Sequence, residues 1–129
     1  MHRSRIGVVL IDHPDDSYDA AAAFWAEARG GARRSSEAPG AEPYESLDRL
    51  PGEVMLELQR TGAGTPPRVH LDIETDDVEA EVARVTALGA TVHERREGYV
   101  ILADPGGLLF CVVPVQTGDA FAQHATTWE

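Results

Sequence analysis

Cysteine is almost absent from this 129-residue sequence, in which Cys111 is the only one. A single cysteine cannot form an internal disulfide, and its presence alone is typical of proteins from a reducing compartment. Long apolar runs are missing as well. The run "IGVVLI" at 6–11 is far shorter than the roughly 20 residues that span a bilayer, and no small-residue cleavage site follows it. We therefore expect a cytoplasmic protein without a membrane partner.

Basic side chains are scarce, since 11 Lys and Arg stand against 22 Asp and Glu, for a formal net charge of -11. Such a surface repels phosphate backbones, so nucleic acid is not expected as a partner. Nucleophile-elbow, zincin, P-loop and dinucleotide-binding motifs are absent too. With 43% hydrophobic residues, the chain has the composition of an ordinary globular protein, and its length predicts a single domain, 1–129, with one core.

The first half predicts a strand, a helix and further strands. Residues 6–11 are β-branched and aliphatic, which is typical of a buried strand. Helix-forming residues follow at 17–29, and the pair Gly30–Gly31 indicates the helix end. Phe24 and Trp25 are neighbours, about 100° apart on a helix, so we expect one in the core and the other over a neighbouring edge. The polar segment 32–52 predicts short edge strands and a loop.

Two strands show clear alternation, and each has one polar face. In 53–60 the residues Met55, Glu57 and Gln59 oppose an aliphatic set. In 68–74 the polar set is His70, Asp72 and Glu74, which leaves the aliphatic face for packing under a helix. The polar faces of both strands are therefore predicted to point away from the helices.

A weak internal repeat organises the chain. After the strand at 68–74, apolar residues at helical spacing predict a second helix ending at Gly89, followed by three strands, the last two joined by "DPGG" at 104–107. The fold class is therefore α+β, with two βαβββ units, 5–61 and 68–115, and a C-terminal tail at 116–129. Paired side by side, such units form a cupped mixed sheet with helices on its outer face, and the concave face can hold a small molecule.

Three segments carry a family resemblance: "DHPDDSYDAAAAFW", "VHLDIETDDVEAEVARVTALGA" and "ADPGGLLFCVV". They resemble the vicinal oxygen chelate superfamily, the glyoxalase and bleomycin-resistance fold, and in particular its glyoxalase-like branch of unassigned reaction. The resemblance implies four metal ligands in the cup, from the first and last strand of each unit. The third falls on His70 and the second on Glu57. The fourth ligand position falls on Cys111, where relatives carry Glu. The first falls near Gly7 or Val9, or less closely on Arg5, where no histidine or glutamine stands.

The candidate pocket residues are Glu57, His70, Cys111, Val9, Met55 and Asp72. A catalytic zinc usually has three protein ligands and an open position, so an incomplete set predicts no cofactor. If a divalent metal binds, His70 and Glu57 are its expected ligands, and otherwise His70 is a hydrogen-bonding residue of the pocket wall. Catalytic residues cannot be assigned.

Two functions from different classes remain open. The first is a small-molecule-binding or sequestering protein without the family metal. The second is a metal-dependent lyase, isomerase or dioxygenase, with Glu57 and His70 as base and metal ligand. Exposed strand edges and the resemblance also predict a homodimer. The tail is predicted to lack regular sheet structure, although Phe121 or Trp128 is expected to dock on the domain or on a partner chain.

Overall fold

The computed structural model describes residues 1–129 and contains nine strands and three helices. The first half comprises β1 (His2–Pro14), α1 (Asp15–Arg29), β2 (Arg34–Ser35), β3 (Tyr44–Ser46), a 3₁₀ turn (Pro51–Glu53) and β4 (Met55–Thr61). The second comprises β5 (Arg68–Thr75), α2 (Val78–Ala87), β6 (Thr91–Arg96), β7 (Tyr99–Ala103) and β8 (Leu109–Pro114), followed by α3 (Asp119–His124) and β9 (Thr126–Trp128). The predicted α+β class with two βαβββ units is confirmed.

One open mixed sheet joins the two units in the order β2-β3-β4-β1-β5-β8-β7-β6, and β9 pairs with β1. The units meet where β1 runs antiparallel to β5. Within each unit the first and last strands are parallel neighbours, β1 with β4 and β5 with β8. The repeat makes β1 equivalent to β5 and β4 equivalent to β8, and these four strands lie side by side at the centre of the sheet.

Both long helices pack on the same face of the sheet, through two separate apolar clusters. Under α1, side chains at helical spacing pack on the sheet, with Tyr18, Ala22 and Ala26 against Leu47 and Leu58. Under α2 the cluster consists of Val82, Val85, Val100, Leu102 and Val112. Because these contacts use one face of the sheet, the other face is left concave and open.

The two aromatic residues of α1 correct one expectation. Neither Phe24 nor Trp25 enters the core: Phe24 is 60% exposed and Trp25 is 39% exposed. Their rings pack edge to face, with centroids 5.1 Å apart. The sheet-facing positions of α1 are occupied by Tyr18, Ala22 and Ala26, so both neighbouring aromatics remain outside the core.

The C-terminal tail also corrects an expectation, because it contains a strand. Residues Thr126–Trp128 form β9, which pairs antiparallel with the first residues of β1. Two threonines and a tryptophan favour extended structure, and β1 begins early enough, at His2, to offer them a free edge. The predicted docking is confirmed: Phe121 is buried, and the Trp128 indole donates to Ser4 Oγ at 2.8 Å.

None of the three helices combines the length and the apolar character that a bilayer crossing requires.

Candidate functional site

The concave face of the sheet encloses a cavity of about 1070 Å³. Strand register decides which side chains enter it. Leu10 on β1 lies directly opposite Glu57 on β4 and His70 on β5. Residues directly opposite each other in a sheet share a face, so these three side chains stand in a row across the floor. The cavity exceeds the volume that a drug-sized ligand requires.

Five of the six predicted pocket residues line this cavity: Met55, Glu57, His70, Asp72 and Cys111. The sixth, Val9, is a correction. It pairs with Leu56 and Leu71 on the opposite face of the sheet, and Leu10 takes its place in the cavity. An uninterrupted aliphatic run has no alternation from which its facing could be read, and only the register with β4 and β5 fixes it.

His70, Asp72 and Cys111 form a compact polar cluster on neighbouring strands. His70 Nε2 lies 3.1 Å from Cys111 Sγ and 3.4 Å from Asp72 Oδ1. One potential donor atom from each of the three lies within 4.8 Å of the others. Glu57 is not part of this group, and its expected pairing with His70 as metal ligands stays a prediction. The strand carrying Leu10 separates the two, and adjacent strands are about 4.8 Å apart.

Asp12 and Arg68 complete the polar floor beside His70. Arg68 Nε donates to Asp12 Oδ2 at 3.2 Å, and Asp12 is fully buried. Burial raises the pKa of the Asp12 carboxyl, and the hydrogen bond from Arg68 partly opposes this effect. Asp12 Oδ1 and His70 Nδ1 are both buried without a partner. Sequence reasoning left Asp12 just beyond the first strand and Arg68 at the start of another, because nothing in the sequence pairs residues 56 positions apart.

Two further groups have raised pKa values. Burial, followed by the negative charge of Asp72, raises the pKa of the Glu57 carboxyl. Burial raises the pKa of the Cys111 thiol to about 12, and the charges of Asp72 and Asp12 act in the same direction. The thiol is therefore neutral at pH 7, whereas the thiolate is the form that acts as nucleophile or metal ligand.

Two tyrosines missed by the sequence reasoning stand on the cavity walls. Tyr44 comes from β3 and Tyr99 from β7. The Tyr44 hydroxyl accepts a hydrogen bond from the Gln59 side chain at 3.2 Å, and burial raises the Tyr44 pKa. Aromatic walls above a polar floor suit an organic ligand that carries one or more polar groups.

The paired units, the central quartet of strands and the cup together define a member of the vicinal oxygen chelate superfamily. Within it, residues 8–113 match the glyoxalase-like domain family, and the chain belongs to that family. No match was found among curated proteins.

Solved structures with a similar fold include enzymes. The Mn(II)-bound glyoxalase from Novosphingobium aromaticivorans has a TM-score of 0.57 at 22% identity, over 90% of this chain but 43% of that one. A hypothetical protein from Bacillus halodurans has a TM-score of 0.60 at 14% identity, covering 88% and 95%. Methylmalonyl-CoA epimerase from Streptomyces coelicolor has a TM-score of 0.54 at 18% identity, covering 87% and 98%. The chain spans less than half of the glyoxalase, and at these identities the likeness is one of fold.

The donor atoms in the cup do not fit a hard cation such as Mn(II). Hard divalent ions prefer oxygen ligands, whereas the cluster offers one imidazole nitrogen, one carboxylate and one neutral thiol, from His70, Asp72 and Cys111. On β1 the side chain level with His70 is Leu10, which supplies no donor. The arrangement can instead accept and donate hydrogen bonds to a ligand on the cavity floor.

Proposed function

We propose that this glyoxalase-like protein binds a small organic molecule in the concave face of its sheet, without the metal of its metal-dependent relatives. The observation that carries the proposal is a large cup in which β1 presents Leu10 level with His70 and β8 presents the neutral thiol of Cys111. Few polar anchors in a mostly preformed cavity are typical of binding sites.

The cavity has the features that a binding protein needs. Leu10, Met55 and further aliphatic side chains supply apolar contact, while His70, Asp72 and Glu57 supply polar anchors. The anchors lie on the central strands of a continuous sheet, which fixes their relative positions better than loops would. Affinity then depends on ligand shape and on a few directed hydrogen bonds.

Ligand screening by NMR tests the proposal. Isotope-labelled protein is titrated with a library of small organic compounds, and binders are expected to shift the amide signals of β4, β5 and β8. Met55→Trp fills the cup and is expected to abolish these shifts. Ala23→Trp adds a similar bulk on the exposed side of α1 and serves as the matched control. Binders that shift only outer-face signals, or that bind Met55→Trp unchanged, would contradict the proposal.

A second candidate function is a metal-dependent lyase, isomerase or dioxygenase. The observation favouring it is the proximity of donor atoms in His70, Asp72 and Cys111, within 4.8 Å of one another. Elemental analysis of protein purified without a chelator or added metal separates the two functions. A stoichiometric metal that is lost in His70→Ala would overturn the metal-free proposal and favour the enzyme.

We further propose that two copies of the chain form a homodimer in the cytoplasm. An apolar groove of about 190 Å³ on the outer face of the sheet supports dimerisation, with Ile6 and Leu108 exposed at its margin. The cytoplasmic location is supported by Cys111, a single buried cysteine that forms no disulfide, as is usual in a reducing compartment.

Light scattering tests the dimer, and fractionation of cells tests the location. Leu108→Asp places a charge in the groove and is expected to give monomers. Leu88→Asp alters an exposed leucine at the end of α2, outside the groove, and is expected to leave the dimer intact. A wild-type mass that equals one chain at all concentrations would contradict the proposal.

A further inference from the structure

The arginines around the cup all have carboxylate partners, whereas two of its carboxylates have no arginine or lysine partner. Arg68 contacts Asp12 at 3.2 Å, and Arg34 contacts Asp48 at 3.1 Å. Arg96 pairs with Glu94. No arginine of the cavity lining is therefore left without a carboxylate partner, and none offers an uncompensated positive charge to a ligand.

Two carboxylates of the lining have no arginine or lysine partner. Glu57 is half-buried, and its side chain makes no hydrogen bond or ion pair although it faces the cavity. Asp72 is 14% exposed, and its charged contact is the His70 imidazole at 3.4 Å. The remaining acid of the wall, Glu45, is bound by Arg33 at 2.6 Å. The uncompensated charge on the floor of the cup is thus negative.

A second observation marks the same floor as incomplete. The His70 side chain is nine-tenths buried and lines the cavity, yet its Nδ1 has no partner. Buried polar atoms of folded proteins are nearly always hydrogen-bonded to protein, water or ligand. His70 stands beside Asp72 and Cys111, in the row that contains Glu57. The floor therefore combines negative charge that no arginine or lysine neutralises with a buried histidine nitrogen that no protein group satisfies.

The walls above these carboxylates suit an organic group rather than a bare ion. Tyr44 and Tyr99 line the cavity together with Ile101, Leu109 and Val113. Tyrosine faces attract ammonium groups through the ring quadrupole, and aliphatic side chains bury the carbon skeleton of a ligand.

We infer that the ligand of the cup is a small organic cation, an amine or substituted ammonium on an apolar or aromatic skeleton, whose charged group lies between Glu57 and Asp72. The inference rests on the proposed binding function and specifies its ligand class. An anionic ligand is disfavoured, because it would meet two carboxylates that have no arginine or lysine partner, and no arginine that is free of a carboxylate. The negative charge of the chain as a whole, -11, adds a long-range attraction for cations.

The experiment compares three probes of similar size that differ in charge: phenethylamine, 2-phenylethanol and phenylacetate. Each is titrated into labelled protein at neutral pH and low salt, and both affinity and site are read from amide shifts. Phenethylamine is expected to bind in the cup at least tenfold more tightly than the alcohol, and phenylacetate more weakly than either. Added salt is expected to reduce the preference, since screening weakens partly exposed ion pairs.

Charge-removing variants locate the effect. Glu57→Gln and Asp72→Asn are each expected to weaken phenethylamine binding by about fivefold while leaving 2-phenylethanol unchanged. Glu27→Gln removes the same charge from the exposed surface of α1 and controls for the long-range field. If Asp72→Asn fails to fold, Glu57→Gln decides the test, because the Glu57 side chain makes no hydrogen bond whose loss could unfold the protein.

The outcomes separate the ligand class from the binding function. Equal or tighter binding of the alcohol or of phenylacetate in the cup overturns the cationic class and leaves the binding function standing. Phenethylamine affinity that neither variant reduces also overturns it. If none of the three probes shifts the amide signals of the cup, the cationic class is overturned, and the screen for any cup ligand then decides the binding function separately.

Discussion

Cys111 gives the most direct test of the electrostatics on the cup floor. Burial raises its pKa from an ordinary 9.0 to about 12, assisted by the charges of Asp72 and Asp12. At pH 8 a thiol with a pKa of 12 has about one thiolate in ten thousand molecules, against about one in ten for a pKa of 9, a difference of roughly a thousandfold. Alkylation proceeds through the thiolate, so the folded protein should react at least this much more slowly than the unfolded chain.

The assay is simple because the chain has no other thiol. Iodoacetamide labelling is followed by mass spectrometry at pH 8, with and without a denaturing concentration of urea. Between pH 7 and 10 the logarithm of the folded-state rate should rise with unit slope and show no plateau. Asp72→Asn should accelerate labelling, since it removes a negative charge that disfavours the thiolate. Asp16→Asn, at an exposed position of α1, should leave the rate unchanged.

Rapid labelling of the folded protein at pH 8, with a plateau below pH 9, would refute this reasoning. It would mean that His70, whose Nε2 lies 3.1 Å from the sulfur, holds a proton and stabilises the thiolate as an ion pair. The cup would then contain an activated thiol, and both the nucleophilic and the metal-binding interpretations of Cys111 would gain support.

Three further predictions concern stability in urea unfolding. Glu74→Ala should cost about 3–5 kcal/mol, because it leaves Arg5, whose side chain is 8% exposed, without its carboxylate partner at 2.9 Å. Burial would raise the Glu74 pKa, but the hydrogen bonds to its carboxylate outweigh burial and lower it. Wild-type stability should therefore fall as the pH drops below the pKa of the unfolded carboxyl, and a flat acid profile would contradict this. Removal of 118–129 should cost at least about 2 kcal/mol through exposure of Phe121 alone, so an unchanged midpoint would refute the docking. Glu57→Gln should stabilise the protein at pH 7, because burial and the charge of Asp72 raise the Glu57 pKa, so that the ionised carboxylate destabilises the folded state. The neutral amide removes that cost. The advantage should vanish at acid pH, where the wild-type carboxyl is protonated.

The sequence predicted the strands of the cup best where one face is buried and the other open. In β4 and β5 the alternation placed Met55, Glu57, His70 and Asp72 on the cup side, and the register agrees with it. In β1 the sequence shows no polar–apolar alternation, because 6–11 is aliphatic on both faces, and a register irregularity falls between Ile6 and Val8. The facing of Val9 and Leu10 is set by neighbouring strands rather than by local pattern.

Contacts between distant segments were the other limit of sequence reasoning. The pairing of Arg68 with Asp12 and the stacking of Arg84 on Trp128, at 3.9 Å from the ring centroid, join residues that no local pattern connects. The tail strand β9 exists because β1 extends to His2 and leaves an edge to be paired. Such contacts depend on tertiary structure, which outweighs local propensity in short segments.

The repeat explains why the fold could be predicted when the function could not. Two βαβββ units give the same backbone positions at the centre of the sheet, and packing of the outer face under the helices constrains them in both halves. The helices place no such constraint on the cup face, where β1 presents Leu10 opposite His70 on β5, and β8 presents Cys111 beside Asp72. A change at these positions alters ligand chemistry with little effect on the helix-facing core. The fold therefore follows from periodicity, whereas function depends on a few side chains whose facing and neighbours only the assembled sheet defines.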